Sequence, residues 1–435
     1  MSKICFIENR GKTQFWAGIA NVLRKRGHNI GWIVQNHAFT PRGAVAAGDV
    51  VIVIPYPKAE QLTEPAEELD ILLSADRGRR HFGNGNSHYS YYAMQIERSL
   101  DAFGPDVVIG EATLFHEQIA VRVCRQRGIR FLHPSMTRYP PDRFMILEGD
   151  TQNPLGGSGD RWPHDRTLEF IRSVSTGKTI PSYMRKLDRM RKLRATKDAA
   201  FGWAARLAGE RYNTPSFSRK MILSHLLRKR IAQWTAMARP IASNELALLY
   251  PLQMQPEANL DVWGHPFSEQ VVTLREMLRA TPRHVSVAVK ANPKAKYELT
   301  DELIELASCE SRLVLLPLNF SMADAQAQTL GTLTVTGTVA FEAVLGKGRC
   351  IALRHPVLKS EFPNFHADSI ADGVARLIEQ PEAGIGNEAS ATKLMDYFVR
   401  VSYPGIVNEP LFDRRAVDPQ NLELVASAIA SEIEA

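Results

Sequence analysis

The sequence predicts an α/β fold built from two doubly wound, Rossmann-like domains. Apolar runs of strand length alternate with amphipathic stretches of helical spacing, and this alternation restarts near Leu246 after an interruption rich in arginine. The 435 residues are enough for two hydrophobic cores of about 200 residues each. We therefore predict an N-terminal domain over 1–180, a basic helical region and linker over 181–244, and a C-terminal domain over 245–435.

Strand and helix signals follow one another in order along both halves. In the first half, strands are predicted at 3–8, 29–35, 49–54, 105–111 and 129–133, and helices at 13–26, 89–101 and 116–127. In the second half, strands are predicted at 246–252, 285–290, 312–318, 332–338 and 349–354, and helices at 268–279, 299–308, 321–329 and 339–346. Because ligands of open α/β sheets bind beyond the carboxyl ends of the strands, the residues after each strand are the candidates for a site.

Composition and missing motifs exclude several classes of protein. A hydrophobic fraction of 44% with 23% charged residues is typical of a globular enzyme rather than a disordered or fibrous chain. The apolar runs fall far short of the roughly 20 residues that span a bilayer, and the four cysteines form no CxxC pair. Together with an N-terminus that lacks a signal-peptide pattern, these features predict a cytoplasmic location.

Motifs for common cofactors and metals are also missing from the sequence. No GxGxxG follows the first strand, and Walker A, HExxH, DxD and GxSxG motifs are absent. We therefore expect neither a dinucleotide cofactor nor a metal, and a metal-independent transfer fits better than phosphoryl transfer from ATP.

Positive charge is concentrated in the middle of the chain. The stretch 185–239 holds 15 Lys and Arg against three acidic residues, although the whole chain has a net charge of only +6. Apolar residues are interleaved with these bases at helical spacing, which is typical of amphipathic helices on an anionic membrane or an acidic polymer. Solvated helix faces beside a linker would give the same pattern, whereas no nucleic-acid-binding module accompanies it.

A turn after the strand at 332–338 is the most specific candidate for a phosphate site. Gly337 allows close approach of a ligand to the backbone, and the hydroxyls of Thr336 and Thr338 flank the start of a helix that can bind an anion. Glu342 lies one turn further and could bind ribose hydroxyls. The alternative is purely structural: a threonine caps the helix, and Glu342 completes a capping box.

Two further strand ends in the C-terminal half carry polar residues. Lys290 ends a strand and could neutralise a phosphate, while Asn292 precedes a proline in a rigid turn; an ordinary surface turn is the alternative. After the strand at 246–252, Gln253, Gln255 and Glu257 alternate, so an extended backbone would point all three in one direction, toward a base or sugar. They could instead bridge the domains.

The N-terminal half supplies a candidate base and two candidate anion ligands. Glu111 follows a predicted strand and could take a proton from an acceptor hydroxyl, with Glu117 one turn into the next helix. Arg138 and Arg143 lie on a proline-stiffened loop and could bind a carboxylate or phosphate of the acceptor. Glu111 could equally form an ion pair with one of these arginines.

Several of these stretches together resemble the capsule polysaccharide biosynthesis family, which includes the Kdo transferases of capsule assembly. The likeness covers most of the chain except the basic region and the C-terminal tail, and is carried by PLQMQPEANLDVWG at 251–264, VKANP at 289–293, TVTGTVAFEAVLGK at 334–347, GEATLFHE at 110–117 and RYPPDRF at 138–144.

The resemblance implies a glycosyltransferase of the GT-B class, whose two Rossmann-like domains face a cleft, working at the cytoplasmic face of the inner membrane of a Gram-negative bacterium. It also implies a nucleotide-sugar donor, often CMP-linked, and an anionic glycan or glycolipid acceptor. The positions that match the family's donor site are Lys290, Thr336, Gly337, Thr338 and Glu342.

One position departs from the family pattern. The family usually carries Lys-x-His-Pro, whereas Asn292 takes the place of the histidine here. An amide cannot carry the positive charge that an imidazole can place near a phosphate. Two alternatives to a transferase therefore stay open: a sugar-nucleotide epimerase or hydrolase on the same fold, and a non-catalytic glycan-binding or assembly subunit.

Overall fold

The computed structural model describes residues 1–76, 78–83, 85–179, 200, 202–292 and 297–435, which form two compact units. The first unit contains Met1–Trp162, the described residues between 200 and 216, and Asp396–Ala435. The second contains Pro163–Thr179 and Phe217–Met395. Each unit is built around its own sheet.

The first unit holds a seven-stranded sheet that is parallel in its central part. Its strands are β1 (Lys3–Ile7), β2 (Asn29–Val34), β3 (Val50–Val53), β4 (Val107–Ile109), β5 (Arg130–Met136), β6 (Arg143–Glu148) and β12 (Tyr403–Pro404). Five of them are parallel in the spatial order β3-β2-β1-β4-β5, and β6 and β12 extend the sheet antiparallel. This strand order is that of a doubly wound domain.

Helices cover both faces of the first sheet. The side chains of β1 alternate between the two faces, and apolar ones point to each. Phe6 packs with Trp16 and Ile429 in the core of one face, whereas Cys5 packs with Ile119 in the core of the other. The helices of this unit are α1 (Thr13–Lys25), α2 (Asp70–Ala75), α3 (Tyr89–Phe103), α4 (Phe115–Arg127) and α15 (Pro419–Glu434), with most of α14 (Glu388–Arg400) outside it.

The second unit repeats the same strand order in a five-stranded parallel sheet. Its strands are β7 (Leu246–Pro251), β8 (Val285–Lys290), β9 (Leu313–Leu315), β10 (Thr332–Thr334) and β11 (Cys350–Ala352), in the spatial order β9-β8-β7-β10-β11. Its helices are α5 (His164–Ser175), α6 (Phe217–Met237), α7 (Ala258–Asp261), α8 (Gln270–Ala280), α9 (Asp301–Cys309), α10 (Met322–Ala327), α11 (Val339–Val344), α12 (Pro356–Glu361) and α13 (Ile370–Glu379).

The core of the second unit is also divided between the two faces of its sheet. Leu248 packs with Leu274 of α8 and with Trp234 of α6, while Leu249 and Val314 pack on the opposite face. The Trp234 indole is fully buried, and its Nε1 donates a hydrogen bond to the Leu316 carbonyl at 2.9 Å. The predicted fold class of two doubly wound α/β domains is therefore confirmed within each unit.

The boundaries of the units differ from the boundaries predicted from sequence. The C-terminal residues from 396 onward belong to the first unit, because β12 pairs with β6 and α15 packs against α1. Residues 163–179, predicted as part of the N-terminal domain, group with the second unit. Strand β6 also replaces part of the loop predicted at 138–144.

Part of the predicted basic region lies outside the described residues, namely 180–199 and 201. Its remaining portion includes helix α6, which carries bases on its exposed positions. No described helix combines the length and the apolar composition that crossing a bilayer requires.

Candidate functional sites

Both sheets have a topological switch point, where the strand order reverses and ligands of open α/β sheets bind. In the first unit this point lies between β1 and β4, whose ends are followed by Asn9 and Glu111. In the second unit it lies between β7 and β10, whose ends are followed by Gln253 and Thr336. Three of these residues, Glu111, Gln253 and Thr336, were candidates from the sequence. Asn9 was not.

Glu111 is held by two residues of the turn that follows β1. Its carboxylate forms an ion pair with the Lys12 ammonium, and Asn9 Nδ2 donates to Glu111 Oε2 at 3.3 Å. The Glu111 side chain keeps 17% of its surface exposed, so one part of the carboxylate faces solvent. The ion pair expected with Arg138 or Arg143 is thus formed with Lys12, which sequence reasoning missed.

Glu117 is completely buried and organises the backbone around Glu111. Its Oε1 accepts hydrogen bonds from the Glu111 amide at 2.9 Å and from Asn9 Nδ2 at 2.9 Å. Its Oε2 accepts from the Thr113 and Leu114 amides at 3.1 and 3.0 Å. Because these bonds occupy both carboxylate oxygens, Glu117 fixes the loop after β4. Its predicted contact with an acceptor stays a prediction.

Two residues beside this cluster adopt a left-handed backbone that is unusual for non-glycine residues. Arg10 has φ of 43° and Ala112 has φ of 55°. Such conformations cost of order 1 kcal/mol and persist only where neighbouring contacts enforce them, which happens most often at functional sites. Both loops that carry Asn9 and Glu111 are therefore built at the expense of backbone strain.

Glu8 enforces the strained turn after β1. Its buried carboxylate accepts hydrogen bonds from the Arg10 amide at 2.5 Å and from the Asn36 amide at 2.9 Å, which ties the ends of β1 and β2 together. Burial raises the pKa of Glu8, although the nearby His116 ring and the two amides oppose the increase. The polar run from Glu8 to Lys12 directly after a strand was the sequence signal for this part of the site.

Arg143 has an internal role in the first unit. It begins β6 and is only 7% exposed. Its guanidinium donates to Ser402 Oγ and Asp160 Oδ2, both at 2.8 Å, and to the Val399 carbonyl at 3.0 Å. These bonds anchor the C-terminal segment, and the acceptor-binding role of Arg143 stays a prediction. Arg138 is half-buried between β5 and β6 and also has partners within the protein.

The second switch point joins Gln253 and Thr336 by a reciprocal pair of hydrogen bonds. Gln253 Nε2 donates to Thr336 Oγ1 at 2.9 Å, and the Thr336 amide donates to Gln253 Oε1 at 3.2 Å. The Thr336 hydroxyl in turn donates to the Asn259 carbonyl at 2.8 Å. The structure thus brings together two predicted donor residues, but their polar atoms fix the loops to each other.

The other two members of the alternating set point to different partners. Gln255 is 4% exposed; its Nε2 donates to Asp261 Oδ1 at 2.6 Å, and its Oε1 accepts from Gln270 Nε2 at 3.0 Å. Glu257 is half-buried and accepts from Asn259 Nδ2 at 2.8 Å. The three side chains therefore share no common direction, and the predicted ligand contacts of Gln255 and Glu257 stay predictions.

The turn after β10 has a steric reason for its glycine. A Cβ atom at Gly337 would lie 2.7 Å from Thr334 Oγ1, which is closer than real Cβ contacts. Thr338 is the N-cap of α11 but makes no side-chain capping bond, so the capping alternative is not realised there. The Ala340 amide at the start of α11 donates to the Gly337 carbonyl at 3.1 Å, and Glu342 pairs with Lys347 at 3.4 Å.

Lys290 is a buried cation with little compensation. It ends β8 and is 6% exposed, and its Nζ donates to the Ala291 carbonyl at 3.2 Å. Among the described residues, no carboxylate forms an ion pair with Lys290, and burial lowers its pKa. An anionic group nearby would therefore be strongly favoured. Asn292 is half-buried two residues later and has partners in the protein, while 293–296 lie outside the described residues.

Within the described part of the chain, no three His, Cys, Asp or Glu side chains are grouped so that they could hold a metal ion.

Comparison with known proteins gives matches among solved structures only. No family model matches the chain, and no curated protein matches it. The similar structures include UDP-GlcNAc 2-epimerase from Neisseria meningitidis bound to UDP-GlcNAc, at 11% identity and a TM-score of 0.26 over 100% of both chains. The calicheamicin glycosyltransferase CalG4 is 12% identical with a TM-score of 0.27, over 100% of this chain and 98% of that one.

A third structure of this kind comes from an archaeon. UDP-GlcNAc 2-epimerase from Methanocaldococcus jannaschii is 13% identical with a TM-score of 0.25, over 91% of this chain and 98% of the other.

Proposed function

We propose that the protein is a glycosyltransferase of the GT-B class that moves a sugar from a nucleotide-sugar to a glycan or glycolipid. The observation that carries the proposal is the state of Glu111: a partly exposed carboxylate at a switch point, held by Lys12 and Asn9 between two strained loops. The sequence resemblance to capsule polysaccharide transferases supports the same reaction.

Glu111 would act as the base that activates the acceptor. The adjacent Lys12 ammonium favours the ionised carboxylate, and Asn9 fixes one of its oxygens. An acceptor hydroxyl bonded to the exposed part of Glu111 can give up its proton as it attacks the anomeric carbon of the donor sugar. Glu8 and Glu117 would keep the geometry constant because each clamps one of the two loops.

Lys290 would contribute to donor binding in the second unit. A buried ammonium without a carboxylate partner among the described residues is stabilised by the arrival of a phosphate. Thr336, Gly337 and Thr338 lie after β10, two strands away in the same sheet. We include this turn and Asn292 in the proposed donor site.

The finer assignment follows from the resemblance. We propose that the donor is a nucleotide-sugar, often CMP-linked in the family, and that the acceptor is an anionic glycan or glycolipid of a bacterial surface polysaccharide. The basic region at 185–239 would keep the enzyme near the cytoplasmic face of the inner membrane.

Two substitutions test the roles proposed for Glu111 and Lys290. With Glu111→Gln, transfer should fall by about a hundredfold or more while nucleotide binding is kept, because only the base is lost. With Lys290→Met, binding of CMP, UDP or GDP sugars should weaken. Exposed Glu60→Gln and Lys58→Met are matched controls that remove the same charges elsewhere. Calorimetric titration of each nucleotide and product analysis with a labelled donor provide the measurements.

Equal loss of transfer and nucleotide binding in Glu111→Gln would contradict its assignment as the base. A wild-type protein that binds polymer but no nucleotide would instead be a glycan-binding subunit.

A sugar-nucleotide epimerase is the second candidate, and the contact between Glu111 and Lys12 favours it. Burial lowers the pKa of Lys12 to about 8, although Glu409 and Glu117 oppose the decrease. A carboxylate and a readily deprotonated amine in contact form an acid–base pair, as proton removal and return would need. Incubating a labelled nucleotide-sugar without acceptor separates the candidates, because only an epimerase changes the sugar under that condition.

A further inference from the structure

Arg10 presents a positive charge that no carboxylate of the described residues neutralises by an ion pair. Its guanidinium Nη1 donates to the Asn213 carbonyl at 3.3 Å, and the group lies 5.9 Å from the centroid of the Phe39 ring. The nearby carboxylate of Glu8 bonds the Arg10 amide instead of its side chain. Strain in the Arg10 backbone is therefore maintained at a position that carries a half-buried cation.

Thr214 has a buried hydroxyl near the Arg10 guanidinium. Thr214 is 9% exposed, and its Oγ1 has no hydrogen-bond partner within the described part of the chain. A Cβ atom placed on Gly202 would lie 3.6 Å from Arg10 Nη2 and 3.9 Å from Thr214 Oγ1. Thr214 Cγ2 lies at the same 3.9 Å, so the guanidinium and the whole Thr214 side chain line the space that the missing side chain of Gly202 leaves.

A second arginine supports the same turn. Arg206 Nη1 donates to the Thr214 carbonyl at 2.7 Å, so two guanidinium groups bind successive carbonyls of the 213–214 turn. Glu210 is buried close by, but one of its oxygens accepts the amides of residues 212 and 213, both at 2.9 Å. These bonds to Oε1 shape the turn, whereas Oε2 is buried without a hydrogen-bond partner among the described residues and its charge acts on Arg206. Arg10 is therefore the guanidinium that is available to a ligand.

We infer that Arg10 and Thr214, supported by Arg206, form a subsite for a single oxyanion of the substrate, either a sugar carboxylate or a phosphate. A buried hydroxyl donor and a planar guanidinium match the oxygens of such a group. Its Arg10 belongs to the same turn as Asn9 and Lys12, which hold Glu111. It rests on the proposed function in one respect: the oxyanion would belong to the acceptor that Glu111 activates.

Anion binding is measured first, without any transfer reaction. Inorganic phosphate and glucuronate are titrated into the full-length protein while its thermal stability is followed, with sodium chloride of equal ionic strength as reference. Arg10→Asn removes the cation but suits a left-handed backbone, and Thr214→Val removes only the hydroxyl. Arg42, exposed elsewhere in the first unit, gives the matched control Arg42→Asn.

At least one anion should raise the melting temperature of the wild type and of Arg42→Asn above the chloride reference. Arg10→Asn should lose this increase and Thr214→Val should reduce it. Response to phosphate alone identifies a phosphate-bearing acceptor, and response to glucuronate alone identifies an acidic sugar. The inference is overturned if neither anion acts on the wild type, or if Arg10→Asn responds as the wild type does.

Transfer kinetics then separate this inference from the proposed function. If the wild type transfers sugar, Arg10→Asn should raise the KM for an anionic acceptor about tenfold or more while kcat changes little. An unchanged KM would remove the subsite and leave the transferase assignment intact. Anion binding that depends on Arg10, in a protein that transfers no sugar, would support the subsite and contradict the transferase assignment.

Discussion

His88 is a buried histidine whose surroundings set its protonation state. It is 1% exposed, stacks on Tyr212 with ring centroids 4.0 Å apart, and meets the edge of Phe115 at 5.0 Å. Burial lowers its pKa to about 3 from the ordinary 6.5, so the ring is neutral in the folded protein at neutral pH. His133 is buried as well, and burial lowers its pKa to about 3.

Acid should therefore destabilise the first unit through these two histidines, beginning at about pH 6.5. Below pH 6.5 the unfolded chain takes up protons on these histidines while the folded chain does not, so the free energy of unfolding falls as pH decreases toward 3. Each histidine contributes up to about 1.4 kcal/mol per pH unit. Urea unfolding at a series of pH values should show a shallower dependence for His88→Phe than for the wild type.

The exposed His225 provides the control for that experiment. His225→Gln should keep the pH dependence of the wild type, because it removes an exposed imidazole and leaves the two buried ones in place. An identical slope in His88→Phe and wild type would mean that His88 is protonated inside the fold.

Single residues of the site were predictable only in part. Glu111 stands out in the sequence because it follows an apolar strand and a glycine. Lys12 and Glu8 also follow a strand, but they were missed because a charged turn gives no sign in sequence that its members are buried and paired. The internal partners of Arg143 could not be predicted, because Ser402 and Val399 lie more than 250 residues away in the chain.

At the level of elements, the predicted strands were placed correctly along the chain, but most of their C-terminal ends were not: β10, for example, ends at Thr334, four residues before the predicted end. The end of β8 at Lys290 was predicted to the residue, because a continuous apolar run marks a buried parallel strand. Strand β6 was missed: it follows two prolines and pairs antiparallel with β12, which comes from the far end of the chain. Loop contacts such as Gln253 with Thr336 depend on sheet order and have no local signal.

The turn after β10 offers a test of why Gly337 is needed. Gly337→Ala places a methyl group 2.7 Å from Thr334 Oγ1, so the turn has to shift and stability should fall by about 1–3 kcal/mol. Thr334→Ala alone should cost little polar stabilisation, because its buried hydroxyl has no partner within the described residues. Combining the two changes should recover much of the loss, which urea unfolding of all four proteins measures.

Additive effects in that double-mutant cycle would show that the two positions do not meet. Donor binding by the double variant is the second readout. Recovery of stability without recovery of nucleotide binding would mean that the backbone of the turn, and not merely its packing, contributes to the donor site.

For the molecule as a whole, the alternation of strands and helices was sufficient to predict two doubly wound domains. The discontinuity of the two units was not predictable. Residues 396–435 follow the second sheet in the chain but pack with the first. Contacts such as that of Arg143 with Ser402 decide this, and they are visible only in the folded chain. The alternation of strand and helix patterns thus predicts the fold class of each unit, whereas contacts between distant parts of the chain determine its boundaries.

The basic region leads to a prediction for the whole protein at a lipid surface. On α6, Met221 and Ile222 are 52% and 51% exposed, and Arg228 and Lys229 lie seven or eight residues further on the same face of the helix. Apolar residues beside bases suit the boundary of an anionic bilayer, where each base contributes about 1 kcal/mol. The protein should therefore sediment with vesicles containing phosphatidylglycerol but not with phosphatidylcholine alone.

Charge and apolar contact can be separated by salt and by substitution. Binding should weaken at high ionic strength, because salt screens the attraction between the bases and the lipid headgroups. Met221→Asp with Ile222→Asp should reduce it further, whereas Val272→Asp, a change at a 49% exposed valine on α8 of the same unit, should leave it nearly unchanged. Equal effects of the two sets of changes would assign the binding to net charge alone, and α6 would then have no particular part in it.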